Sequence, residues 1–266
     1  MDKTLTLEGR TLFYREEGTG LPVLLLHGFA EDGGIWNEIA PRLSTGCRLL
    51  IPDLPGSGNS TLLPGEPSID TLADSIRMFI DALGIDQCVL IGHSMGGYVS
   101  LAFAERHPQR LKAFGFFHST AYADSEEKRA ARRKSIEFIR EHGAAPFIRQ
   151  STPNLFAGVT REQRPQLVED TIRRYSSFSP DSLVYYYEAM ISRPDRVSVL
   201  QQFDGPVAFV MGVMDTVVPY EQSLKQCHEP RISLVYTLSH SGHMGMLEEP
   251  ERGSTVLESF LNFAGS

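Results

Sequence analysis

Short, wholly apolar runs alternate with stretches of helical spacing along the first 120 residues of the chain. Thr4 to Leu7 and Arg10 to Arg15 read as two short strands that turn at Glu8-Gly9, an opening hairpin. Pro22-Val23-Leu24-Leu25-Leu26, Cys47 to Ile51, Cys88-Val89-Leu90-Ile91 and Leu111 to Phe117 are apolar without alternation. Strands buried on both faces of a parallel sheet have that character. Between them, Trp36 to Leu43 shows short helical spacing. Ile69 to Leu83 places Leu72, Ile76, Phe79, Ile80 and Leu83 on one helical face and stops at Gly84. Met95 to Glu105 predicts another helix.

From about Tyr122 to Val199 the strand-like runs cease. Ser125 to Glu141 predicts a long charged helix with an apolar stripe at Ile136 and Ile139. Thr160 opens a second helix that ends near Tyr175, and Ser179-Pro180-Asp181 caps a third. Strands resume at Pro206 to Met211 and Ile232 to Leu238, and a helix from Met246 to Phe263 closes the chain. The expected fold class is therefore α/β, with a mostly parallel central sheet of about eight strands and flanking helices. Residues 1–120 and 200–266 form its core, and residues 121–199 form a helical cap inserted into it.

Composition adds limits. The chain has 266 residues, 41% hydrophobic and 22% charged, enough for one large core. A net charge of −8 argues against nucleic-acid or anionic-membrane partners, which require a basic patch. The one basic cluster, Lys128, Arg129, Arg132, Arg133 and Lys134, sits beside Glu126, Glu127, Glu137 and Glu141 and reads as a solvated helix face. Three cysteines, Cys47, Cys88 and Cys227, show no paired spacing, the pattern of buried thiols in a reducing compartment. No apolar run approaches the roughly 18 residues of a membrane span, and the first residues lack a signal-peptide pattern. A cytoplasmic location is expected.

The chemistry concentrates in Gly92-His93-Ser94-Met95-Gly96, where a strand turns abruptly into a helix. That arrangement matches a nucleophile elbow, with the hydroxyl raised to the positive end of a helix. A serine needs a base, and the base an orienting carboxylate. Open parallel sheets place such groups at the carboxyl ends of their strands. Three strand ends supply Ser94, Asp215 and His243 in that order. His240 is the rival base, and Asp124, beyond the strand ending at Phe117, the rival acid. His27 and His93 read as braces of their loops. No metal-ligand spacing emerges, and Pro55-Gly56-Ser57-Gly58 lacks the lysine of a phosphate loop, so neither metal nor cofactor is expected.

These motifs, together with His27-Gly28-Phe29, Asp53-Leu54-Pro55-Gly56-Ser57-Gly58, Gly212-Val213-Met214-Asp215 and Gly242-His243 before Glu248-Glu249-Pro250, give the chain a resemblance over nearly its whole length. It resembles the α/β-hydrolase superfamily of esterases, epoxide hydrolases and haloperoxidase-like enzymes. The resemblance implies an oxyanion hole from the N–H groups of Phe29 and Met95, and a cap over 121–199. Serine rather than aspartate at the elbow implies acyl transfer rather than alkyl displacement. The expected activity is that of a serine hydrolase that cleaves a carboxylic ester or related acyl bond through an acyl-enzyme on Ser94. Its partner would be a small to medium apolar acyl substrate, and His118, Phe147 and Tyr187 are the expected pocket residues. Phe156, Phe178, Tyr185, Tyr186 and Met190 are further apolar candidates in the cap. Two other readings stay open at this stage, a slow-turnover ligand-sensing module of the same fold and a non-hydrolytic perhydrolase or lyase.

Overall fold

A computed structural model describes residues 1–265. Its core is one eight-stranded sheet in the order β1-β2-β4-β3-β5-β6-β7-β8. The strands are β1 (Asp2–Leu7), β2 (Arg10–Glu17), β3 (Pro22–Leu26), β4 (Arg48–Pro52), β5 (Cys88–His93), β6 (Leu111–Phe117), β7 (Val207–Gly212) and β8 (Ser233–Leu238). Only the β1–β2 and β2–β4 pairings are antiparallel. The remaining pairings are parallel, and β5 and β7 are buried along their whole length. The absence of alternation in these runs is thus the sequence trace of a sheet covered on both faces.

Helices α1 (Ala40–Leu43), α2 (Ile69–Ala82) and α3 (Met95–Arg106) follow the first parallel strands. Six helices form the excursion after β6: α4 (Glu126–His142), α5 (Ala144–Ser151), α6 (Gly158–Gln163), α7 (Pro165–Tyr175), α8 (Pro180–Ser192) and α9 (Val197–Gln202). Helices α10 (Tyr220–Leu224), α11 (Gly245–Glu248) and α12 (Pro250–Gly265) complete the chain.

The differences from the sequence reading have local causes. The expected helix from Thr160 to Tyr175 is two helices, because Arg164, at φ −132° and ψ 51°, leaves the helical region before Pro165. The closing helix breaks in the same way at Glu249-Pro250. Gly143, at φ +82°, separates α4 from α5 in a conformation that costs glycine little. Trp36 to Leu43 is a 3₁₀ turn, Gly33–Trp36, followed by α1. Among the described residues, no helix is long and apolar enough to cross a membrane.

Candidate active site

Ser94 sits between β5 and α3 at φ 49° and ψ −114°, a strained conformation for a residue with a side chain. Its neighbours permit the turn. A Cβ on Gly92 would lie 2.2 Å from the Gly96 carbonyl group, and one on Gly96 would lie 2.6 Å from the Leu26 and His27 carbonyl oxygens. Ser119 clamps the turn by donating its hydroxyl to the Ser94 carbonyl at 2.7 Å, while the Ser94 N–H donates to Phe117 at 3.0 Å. Met95 is the first residue of α3, so its N–H has no acceptor within the helix.

Asp215 and His243 come from the loops after β7 and β8. His243 Nδ1 donates to Asp215 Oδ2 at 2.8 Å. Oδ1 of the same carboxylate accepts the Val217 and Val218 N–H groups at 2.8 and 2.9 Å, which fixes its plane. Burial opposes ionisation of Asp215, yet the two histidines beside it outweigh that and hold the carboxyl well below the usual range. His240 is exposed, and its N–H caps Glu249 instead. Asp124 is engaged by Arg132 and Arg193 rather than by His243. Neither rival occupies the position expected of a triad member.

His118 departs from the sequence reading, which put it in the substrate pocket. It is 1% exposed, at φ 53°, and its Nδ1 lies 3.2 Å from Asp215 Oδ2. Because a carboxylate only accepts, both histidines donate to the same oxygen. His118 Nε2 is buried without a partner. Its ring fills space that a Cβ on Gly212 or Gly245 would occupy, at 2.7 and 2.3 Å. Burial pushes its pKa down to about 4, so the ring is neutral near pH 7. Among the described residues, His118, Asp215 and His243 also form the one group close enough to ligate a metal. Both imidazoles spend Nδ1 on the carboxylate, so hydrogen bonds hold the three groups together through those atoms.

The loop after β3 is braced by two other histidines, as their motif positions suggest. His27 Nε2 accepts the Leu54 N–H at 2.9 Å while Nδ1 donates to the Gly28 carbonyl at 2.8 Å. His93 faces two acceptors, Glu31 Oε2 at 2.9 Å and the His243 carbonyl at 3.0 Å. Two acceptors require two N–H donors, hence an imidazolium. Burial works against that charge, but the Glu31 carboxylate prevails and raises the pKa. Glu31 Oε2 also accepts the Gly28 N–H at 2.7 Å. One buried ion pair thus ties the Phe29 loop, the elbow and the His243 backbone together. Sequence reasoning missed Glu31; its only trace there is proximity to His27-Gly28-Phe29.

A cavity of about 130 Å³ lies over the elbow and is lined by Phe29, Ser94, Met190 and His243 among others. Phe147 and Tyr187 line it as expected, and Phe29 stacks on Tyr187 with centroids 4.2 Å apart. Of the other cap candidates only Met190 reaches the cavity; Tyr186 is spent on hydrogen bonds to Ser57 and Pro55. Arg132 corrects a second expectation. It also lines the cavity, instead of joining the solvated face formed by Arg133 and Lys134. The signal was present: Arg132 precedes Ile136 by one helical turn and so lies on the buried stripe of α4.

The sequence pattern of the alpha/beta hydrolase fold family matches residues 22–250. A pimeloyl-[acyl-carrier protein] methyl ester esterase from Aeromonas hydrophila is 39% identical over 251 residues, covering 92% of this chain and 96% of that one. A thermophilic esterase from Thermogutta terrifontis, solved with malate bound, superposes with a TM-score of 0.94 at 29% identity, covering all of both chains. An enol-lactonase from Burkholderia xenovorans shares the fold with a TM-score of 0.89 at 21% identity, covering 98% of this chain and all of the other.

Proposed function

The chain belongs to the alpha/beta hydrolase fold family, and from that premise we propose that it is a serine hydrolase that cleaves carboxylic esters through an acyl-enzyme on Ser94. The observation that carries this reading is the meeting of Ser94 and His243 in one cavity, with His243 Nδ1 held 2.8 Å from the Asp215 carboxylate. The esterase names of the relatives that align over nearly the whole chain support it.

Anchored through Nδ1–H, His243 presents an unprotonated Nε2. In the proposed step it removes the Ser94 proton as Oγ attacks the acyl carbon. The tetrahedral oxygen takes its charge beside the Met95 and Phe29 N–H groups, where fixed donors stabilise the transition state more than the ground state. Collapse expels the alcohol, protonated by His243, and water repeats the sequence to release the acid. The Glu31–His93 pair keeps the loop and elbow in register for both halves.

A fluorophosphonate tests the reading directly. It should modify Ser94, located by peptide mass spectrometry, and p-nitrophenyl butyrate should turn over many times per molecule. Ser94→Ala should abolish both, with activity lower by at least about 10⁴-fold. Labelling elsewhere, or persisting in Ser94→Ala, refutes the assignment, and a single turnover favours the ligand-sensing alternative.

A further inference from the structure

We propose that Arg132 is the recognition group for a carboxylate carried by the substrate in the Ser94 cavity. The inference rests on the acyl-transfer reading above and narrows it from an apolar ester to an ester with an acidic arm.

The argument begins with how the guanidinium is held. Nε donates to Asp124 Oδ2 at 2.7 Å and Nη2 to Oδ1 at 3.4 Å, which fixes the plane of the fork. The group lies over the Tyr187 ring, 5.4 Å from its centroid. The remaining nitrogen, Nη1, pairs with no acceptor among the described residues. Asp124 cannot neutralise it alone, because Arg193 claims the same carboxylate at 2.9 Å. Arg193 is otherwise spent on the Met190 and Tyr122 carbonyls and on the Tyr98 ring, 3.9 Å away. Two guanidinium groups therefore share one carboxylate, and one positive charge remains over.

The other charges at the cavity do not absorb that surplus. Glu31 is paired with His93, and the Asp215 carboxylate spends both oxygens on the His243 and His118 rings and on the Val217 and Val218 N–H groups, so neither carboxylate pairs with Arg132. Apart from these groups the cavity is lined by apolar side chains such as Phe147, Ile148, Leu155 and Met190 and by neutral hydroxyls such as those of Ser151 and Thr152, none of which carries a charge. An arginine kept half-buried in such surroundings with one N–H pair unused carries a desolvation cost that an anionic ligand would offset. Arginine offers a carboxylate two parallel hydrogen bonds, and a rigid fork loses little entropy in making them. Tyr98, one helical turn beyond Ser94, lines the same cavity and adds a neutral hydroxyl to its wall. Apolar cavities of about 150 Å³ hold a benzene ring, so half-esters of diacids with roughly four to six carbons suit this one.

The test compares isosteric pairs by pH-stat, with isopropyl in place of the carboxylate: monomethyl glutarate against methyl 5-methylhexanoate, with the charge on the acyl arm, and acetoxyacetate against isobutyl acetate, with the charge on the alcohol arm. In one pair the wild type should favour the anion by about 10- to 100-fold in kcat/KM, the range of a charge-assisted hydrogen bond. Arg132→Met should abolish that preference by lowering kcat/KM for the anion about 10- to 100-fold more than for its neutral partner, and Arg132→Lys should restore part of it. Neutral esters preferred in both pairs, or equal losses for both members in Arg132→Met, overturn the proposal. Should Ser94 fail to label and no ester be cleaved, acyl transfer itself falls. The subsite is then read without turnover, by a thermal shift with glutarate that Arg132→Met removes; an equal shift in both proteins refutes it.

Discussion

His118 shows how much a single side chain can mislead when only its place in the chain is known. It ends β6 facing the region of the elbow, yet its positive φ turns the ring down onto Asp215. There it gives the carboxylate a second N–H, so the negative charge that orients His243 is shared between two imidazoles. The arrangement has a measurable consequence for stability. In the folded protein the His118 pKa is depressed to about 4 from an ordinary value near 6.5. Above pH 6.5 neither state binds the proton and the residue costs nothing. Between pH 6.5 and 4 the unfolded chain binds it and the folded one does not, so stability falls with pH, then levels off below 4. At up to about 1.4 kcal/mol per pH unit, the loss approaches about 3 kcal/mol. His118→Asn keeps an N–H donor and tolerates the left-handed backbone but does not titrate. Urea unfolding at pH 7.5, 5.5 and 4.5 should therefore show the wild type losing ground to the variant on acidification. Parallel curves would mean that His118 binds its proton equally in the folded and unfolded states.

At the level of elements, the sheet was legible because strands such as β3, β5 and β7 are short, apolar on both faces and bounded by turn residues, whereas the equally buried α3 runs for 12 residues. The helices between β6 and β7 were legible in kind but not in number, since their breaks depend on one non-helical residue before Pro165 and one left-handed glycine at 143. The basic run in α4 was read as uniformly solvated, although one member of it lies on the Ile136–Ile139 stripe. That member, Arg132, joins Arg193 from the end of α8 on the single carboxylate of Asp124, which precedes α4. The cluster ties both ends of the cap together. Burial opposes ionisation of Asp124, but the two arginines bring its pKa down to about 2. Its contribution is present above the unfolded value near 4 and is lost as pH falls through 2. Asp124→Asn should cost about 3–5 kcal/mol at pH 7, because two guanidinium groups are left without their carboxylate. The variant should also lack the wild type's additional loss of stability between pH 4 and 2. Calorimetry across that range checks both statements, and a variant as stable as the wild type at pH 7 would remove the cluster's structural role.

For the whole molecule, the order of Ser94, Asp215 and His243 could be read in one dimension because each follows a strand end. The contacts between cap and core could not, since they join residues almost a hundred positions apart. Glu248 is the principal example. One carboxylate oxygen accepts the Ala157 N–H at 2.9 Å and the Thr160 hydroxyl at 2.6 Å; the other accepts the Gly242 and Met244 N–H groups at 2.8 and 3.2 Å. The His243 N–H donates to the Leu155 carbonyl at 2.7 Å, and a Cβ on Gly242 would strike the Ala157 nitrogen at 2.6 Å. The loop that carries the proposed base thus rests on the excursion that covers the cavity, and the two cannot shift independently. Glu248→Gln tests this coupling with almost no change in shape. An amide must turn its NH₂ toward one pair of donors; the Thr160 hydroxyl can reverse and accept, but a backbone N–H cannot, so at least one N–H is left unsatisfied at about 1–3 kcal/mol. Stability should fall by about 1–3 kcal/mol, and kcat on p-nitrophenyl butyrate by at least about tenfold with KM little changed, because His243 lies between Gly242 and Met244. Loss of stability with full kcat would show that His243 is held from the core alone. A rise in KM without loss of kcat would assign Glu248 to the cavity wall rather than to the base.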